Sequence, residues 1–277
     1  MILIADSGST KTSWCFTNKG KKRNHFTTGG INPFFRTTED IVNEWKQSPL
    51  SGFTGKVGRI FFYGAGVVNE EKAEIIKRAL HVFFPDIEPE LESDLMGAAR
   101  ATLGDTGGIA CILGTGSNSC LYNGKAVIDH VPPLGFVLGD EGSGAVLGKQ
   151  LVSDYLKKCM PQDLEKKFRE EYPLKFAEIL NKVYQEEKPN HFLAGFAPFL
   201  KKNITNNYCI NLVENAFDLF LSRNVAQYAG FEKHPLCFVG SVAFHFQEQL
   251  KNVLQKQNLV PKIILKDPLG KIIEFHT

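Results

Sequence analysis

The chain has six cysteines in 277 residues, and no two of them form a Cys-x-x-Cys pair. They stand far apart, at 15, 111, 120, 159, 209 and 237, and three lie inside apolar runs. A disulfide framework and a zinc site are therefore not expected; reduced, buried thiols are. No apolar run reaches the length of a membrane-spanning helix. The N-terminal apolar run is short and has no basic segment ahead of it, which argues against a secretory leader and for a cytoplasmic protein. The sequon Asn203-Ile204-Thr205 thus has no secretory context. Neither sign of charge prevails: the net charge is +2 with Lys and Arg scattered, so composition makes no case for nucleic acid. The seven histidines show no metal-ligand spacing and, like the 22 phenylalanines, are read as structural. Low-complexity linkers are missing too. What remains is an ordinary globular composition, 43% hydrophobic and 22% charged, enough for one large or two medium domains.

The most informative stretch is Leu113-Gly114-Thr115-Gly116-Ser117-Asn118-Ser119. It follows the apolar run Gly108–Ile112 and leads into Cys120-Leu121-Tyr122, so it reads as strand, tight turn, strand. Glycine lets backbone N–H groups crowd inward, and a turn that aims several N–H groups and hydroxyls at one point is a candidate anion cradle. Alone, it would read as an ordinary hairpin turn. The same pattern occurs a second time, however, at Ile2-Leu3-Ile4-Ala5-Asp6-Ser7-Gly8-Ser9-Thr10-Lys11-Thr12. Both second strands end in hairpin signals, Asn18-Lys19-Gly20-Lys21 and Asn123-Gly124-Lys125. Two copies of one phosphate-type hairpin, each opening about half of the chain, point to a duplicated nucleotide-binding fold.

The periodicities give the first half as βββαβαβα. Strands are expected over 2–6, 12–17, 22–27, 59–63 and 88–91, and helices over 39–47, 70–83 and 95–103, with Thr37 or Thr38 and Asn69 as caps. The second half opens the same way, with a third strand around 125–130 and a helix over 145–158. A helical stretch from about 160 to 230 then reads as an insertion. A strand over 236–239, a helix over 242–257, a strand over 260–265 and a short helix from Asp267-Pro268 to Phe275 follow. The fold class is α/β, with domains expected at 1–107 and 108–277.

Several residues carry candidate chemistry. Asp6, at the mouth of the first hairpin, could hold the hydration shell of Mg²⁺ or simply bond its own turn. Lys11 could meet a phosphate or be solvated. Asp94 ends a strand and opens a helix, so it is either an N-cap or a general base aimed into a cleft. Asp140 and Glu141, among four small residues, could bind a ligand or complement a helix dipole. Gly142–Lys149 fails both as a Walker loop and as a dinucleotide fingerprint. Gly240-Ser241 could meet the adenosine part of a nucleotide.

Taken together, Gly114–Asn118, Leu138–Ser143 and Val239–Val242, in this order and spacing, resemble the N-acetylglucosamine kinase and BadF-type ATPase family of the actin–hexokinase–heat-shock-chaperone superfamily. The resemblance implies two ribonuclease H-like domains with a nucleotide cleft between them, and an ATP- and Mg²⁺-dependent kinase acting on an amino sugar. It implies that Ser9, Thr10, Lys11, Thr115 and Gly116 meet ATP phosphates, and that Ala194, Gly240 and Ser241 lie near the nucleoside. Asn32, Asp94, Ser117, Asn118, Gly135 and Asp140 would meet the sugar, with Asp94 as base. Two departures stand out. Leu134-Gly135 replaces the family's Trp-Gly, and the usual Gly/Ala-rich closing helix is not evident after Leu269-Gly270-Lys271. A BadF-type reductase activator is one alternative, although no two cysteines sit at glycine-flanked helix ends. A non-catalytic ATP and sugar sensor is another. The oligomeric state stays open, a homodimer being one candidate.

Overall fold

The computed structural model describes residues 1–18 and 21–277, so the expected turn at Lys19-Gly20 lies outside the described residues. The chain divides into two compact units, Met1–Thr106 with Gly124–Ala126 and Asp267–Thr277, and Gly107–Asn123 with Val127–Lys266.

In the first unit come β1 (Ile2–Ser7), β2 (Lys11–Asn18), β3 (Lys21–Gly29), α1 (Thr38–Lys46), β4 (Arg59–Gly64), α2 (Glu70–Phe83), β5 (Glu90–Ser93) and α3 (Asp94–Leu103). The sheet order is β3-β2-β1-β4-β5. The first three strands form an antiparallel meander, whereas β1–β4 and β4–β5 are parallel. Central strands buried on both faces need continuous apolar runs, which is why Leu3-Ile4-Ala5 and Ile60-Phe61-Phe62 do not alternate with polar residues. On one face Leu3, Ala5, Trp14, Phe16 and Phe62 pack with Trp45 of α1 and with Ile76 and Leu80 of α2. Trp14 and Trp45 meet edge to face, with ring centroids 5.1 Å apart. Thr37 caps α1 in a capping box with Asp40, and Asn69 caps α2.

The second unit holds β6 (Gly107–Leu113), β7 (Ser117–Asn123), β8 (Val127–Asp129), α4 (Gly135–Leu138), α5 (Gly144–Leu156), α6 (Gln162–Glu171), α7 (Phe176–Tyr184), α8 (Pro189–Ala194), α9 (Ala197–Lys202), α10 (Asn207–Arg223), β9 (Leu236–Val239), α11 (Ser241–His245), α12 (Gln247–Lys256) and β10 (Pro261–Leu265). Its sheet runs β8-β7-β6-β9-β10. Read from its own third strand, this is the order of the first sheet, with the same parallel and antiparallel pairings. The duplication expected from the two hairpins is thus a duplication of topology, and α6–α10 are inserted between β8 and β9. The expected single helix over 242–257 is instead two, broken at Phe246, whose ring is buried in the core.

The last helix, α13 (Leu269–His276), packs on α3, β1 and β2 of the first unit. Its Ile272 and Ile273 are fully buried, on the side of the first sheet away from α1 and α2. A short helix therefore does follow Asp267-Pro268, anchored by Ile272 and Ile273 and not rich in Gly and Ala. Among the described residues, no helix is long and apolar enough to cross a membrane.

Candidate active site

In open α/β sheets, ligand sites form at the carboxyl ends of parallel strands, where backbone groups and loops are free to face a ligand. In the first unit those ends are Asp6-Ser7, Gly64 and Ser93-Asp94. Ser7 pairs with Gly64, and Gly64 pairs with Ser93, so Asp6 and Asp94 flank one row of the sheet. The hairpin tip closes through Gly8 N–H to the Lys11 carbonyl at 3.0 Å, and Gly30 N–H reaches the Thr10 carbonyl at 3.1 Å. A Cβ on Gly30 would lie 2.4 Å from the Ser9 carbonyl, so only glycine lets the loop after β3 press on the hairpin. The buried Ser7 hydroxyl bonds Thr12 Oγ1 at 2.7 Å and accepts from Ile31 N–H at 3.1 Å, and so ties the loop that carries Asn32 to β1. Asn32 Oδ1 accepts from Phe34 N–H at 3.0 Å, and Gly66 abuts the same oxygen.

Asp94 is not the helix cap. Ser93 caps α3, its Oγ accepting from Met96 N–H at 3.2 Å, and Asp94 is the first helical residue. Its Oδ1 accepts from Leu95 N–H at 2.9 Å. Burial pushes Asp94 up to about 6, against the pull of these backbone donors. Asp6 is pushed up further, to about 8, first by burial, then by the charges of Asp267 and Asp94, with Lys11 opposing. Lys11 Nζ pairs with Asp267 Oδ2 at 3.4 Å.

In the second unit, Gly114 N–H bonds the Gly116 carbonyl at 2.9 Å across the hairpin tip. The first N–H groups of α5, at Gly144 and Ala145, donate to the carbonyls of Gly114 and Thr115 at 2.8 and 3.1 Å. This explains why Gly142–Lys149 is not a phosphate loop: its N–H groups hold the hairpin instead. Gly240, at φ 121°, lies so close that a Cβ would sit 2.2 Å from the Leu113 carbonyl. Ala194 touches Gly144 from α8. Asp140 and Glu141 diverge. Asp140 packs over Gly116, its Oδ1 3.4 Å from Ser117 N–H, and burial pushes it up to about 6. Glu141 is taken up by Arg223 at 2.8 Å and by the buried Asn224 at 3.4 Å. Gly135 (φ 72°) lies in the loop that Asp140 N–H closes onto the Pro133 carbonyl at 2.9 Å.

A structure from Porphyromonas gingivalis, named a candidate N-acetylglucosamine kinase, is 44% identical over 100% of this chain and 98% of its own, with a TM-score of 0.95. The chain belongs to the N-acetylglucosamine kinase family. A second candidate N-acetylglucosamine kinase, from Chromobacterium violaceum, is 18% identical with a TM-score of 0.75, covering 100% of this chain and 98% of its own. A ROK-family glucokinase from Streptomyces griseus, solved with glucose and AMPPNP, is 14% identical with a TM-score of 0.58, covering 99% and 98%. These two share the fold, the two-domain actin and hexokinase type. No model of a known family matches the chain, and no curated protein matches it.

Within the family frame, the first unit gathers Asp6, Ser9, Thr10, Lys11, Asn32 and Asp94 at one end of its sheet. The second gathers Thr115, Gly116, Ser117, Asp140, Ala194 and Gly240, with Asn118 and Ser241 adjoining in sequence. Of the two residues that fit an N-cap before α3, Ser93 and Asp94, the cap is Ser93. Two partners have no local signature in the sequence: Asp267, which pairs with Lys11, and His130, which bonds Asn118.

Proposed function

We propose that the chain is an ATP-dependent sugar kinase that phosphorylates a hydroxyl of an amino sugar, N-acetylglucosamine or a close relative. Family membership supports the reaction class. The observation that carries the chemistry is Asp94, a carboxylate at a strand end, relieved of capping by Ser93 and poised near pH 6. It is ionised at neutral pH yet basic enough to accept a proton. Asp94 takes the proton of the sugar hydroxyl as that oxygen attacks the γ-phosphorus. The bond from phosphorus to the bridging β–γ oxygen breaks, and ADP leaves.

Ser9, Thr10 and Lys11 in one hairpin, and Thr115 and Gly116 in the other, would bind the phosphates. Ala194, Gly240 and Ser241 would line the nucleoside. Asn32, Ser117, Asn118, Gly135 and Asp140 would hold the sugar. A bound Mg²⁺ supplies neutralisation of charge on the transferring phosphoryl group. Asp6 fits it: its carboxyl is buried, and the charges of Asp267 and Asp94 outweigh that of Lys11 upon it. Among the described residues no group of three or more Asp, Glu, His or Cys side chains surrounds one point, so Asp6 alone would face the cation, through its water shell. The use of ATP implies a cytoplasmic protein.

The test is ADP release against a panel of hexoses and N-acetyl amino sugars, with the sugar phosphate identified by mass. One amino sugar should raise ATP turnover far above the sugar-free rate. ATP hydrolysis indifferent to every sugar would overturn the reading.

A further inference from the structure

Asn118 is held by its oxygen. Its Oδ1 faces Ser119 N–H at 3.0 Å, and a backbone N–H only donates, so the atom there is the amide oxygen and not the nitrogen. His130 Nε2 reaches that same oxygen at 2.9 Å, which requires the imidazole to donate through Nε2–H. An amide whose oxygen is engaged twice presents its NH₂ outward, as a donor.

The strands alone do not hold this arrangement. The β7–β8 ladder pairs Leu121 with Asp129 and Tyr122 with Val127 across a register shift, and β8 ends at Asp129. Beyond it, residues 130 and 131 have no strand partner in β7. A single phenol replaces the ladder. Val131 N–H donates to Tyr228 Oη at 3.2 Å, and the same phenol shares a second hydrogen bond with Ser119 Oγ, 2.8 Å away. Tyr228 is 1% exposed. The residue after Asn118 and the residue after His130 are thus tied to one buried hydroxyl.

We propose that His130 and Tyr228 are positioning residues for sugar recognition: they fix the Asn118 amide so that its NH₂ donates to an acceptor oxygen of the substrate. The inference rests on the sugar contact proposed for Asn118. His130 does not touch substrate and has no part in the chemistry, so its loss acts on sugar binding alone.

Four variants test it: Asn118→Ala, His130→Ala, His130→Gln and Tyr228→Phe, each assayed for sugar KM, ATP KM, kcat and melting. One neutral hydrogen bond accounts for a few-fold change in affinity. His130→Ala should raise the sugar KM about fivefold, with kcat and the ATP KM within twofold of wild type and melting unchanged, because the imidazole is exposed. His130→Gln, which keeps a donor at similar reach, should recover most of the loss. Tyr228→Phe should move the sugar KM in the same direction while still folding. If Asn118→Ala raises the sugar KM and His130→Ala does not, the inference is wrong and the Asn118 contact stands. If Asn118→Ala leaves the sugar KM unchanged, the contact itself is refuted, and the inference with it.

Discussion

The two hairpins share a sequence pattern and a sheet topology, yet they are held in opposite ways. The first is held by its own loops and left among charges: Gly30 presses on its tip, Lys11 pairs with Asp267, and the charges of Asp267 and Asp94 bear on Asp6. The second is gripped by secondary structure. The first turn of α5 donates to its carbonyls, Gly240 packs on Leu113, and Glu141 is drawn away to Arg223, so that Asp140 is the acid at the hairpin. The outer strands differ too, nine residues in β3 against three in β8. One copy of the duplicated fold concentrates electrostatic strain, and the other concentrates rigidity.

The charged side of this contrast breaks with Asp6→Asn. On the proposed role of Asp6 toward Mg²⁺, turnover should fall by at least about a hundredfold, because the neutral amide would lack the charge that attracts the cation. Melting should move the other way. The folded-state value of Asp6 is raised, to about 8, so the fold favours the protonated acid. That favourable contribution is present below the unfolded value near 4 and is lost as pH rises through 8. The variant should therefore melt above wild type by a gap that widens between about pH 4 and pH 8, read by calorimetry at a series of pH values. A variant that melts below wild type at pH 8 would contradict the strain assigned to Asp6.

The rigid side breaks with Gly240→Ala. A Cβ there meets a backbone carbonyl from a φ that L residues rarely adopt, and the cost should be about 2–4 kcal/mol in denaturant unfolding. Gly30→Ala meets backbone as well but at an ordinary φ, in a loop that can shift, and should cost about half as much. Equal losses would remove the mechanical distinction between the hairpins.

Much of this was legible in the sequence, because hairpins with Gly, Ser and Thr tips and doubly buried strands leave local signatures. The Asn69 cap, the strand–turn–strand pattern around Gly8 and Gly116, and the inserted helices all follow from spacing. What was hidden depends on pairs far apart in the chain. Lys11 and Asp267 are 256 residues apart, and His130, which reaches Asn118, lies just past the end of β8 at Asp129. The expected strand over 88–91 lies two residues later, at Glu90–Ser93, and that shift places Ser93 rather than Asp94 at the cap. The helix over 242–257 breaks at Phe246 because the core accepts that ring, a choice no local periodicity records.

The central claim, that Ser93 caps the helix and Asp94 does the chemistry, is tested by measuring Ser93→Ala and Asp94→Asn side by side, in melting and in single-turnover formation of sugar phosphate. Ser93→Ala should lose about 1 kcal/mol of stability and keep most of its phosphoryl transfer. Asp94→Asn should melt at or slightly above wild type, still bind ATP, and transfer phosphate at least about a hundredfold more slowly. Near-normal transfer by Asp94→Asn, with the loss of stability falling on that variant instead, would contradict the account.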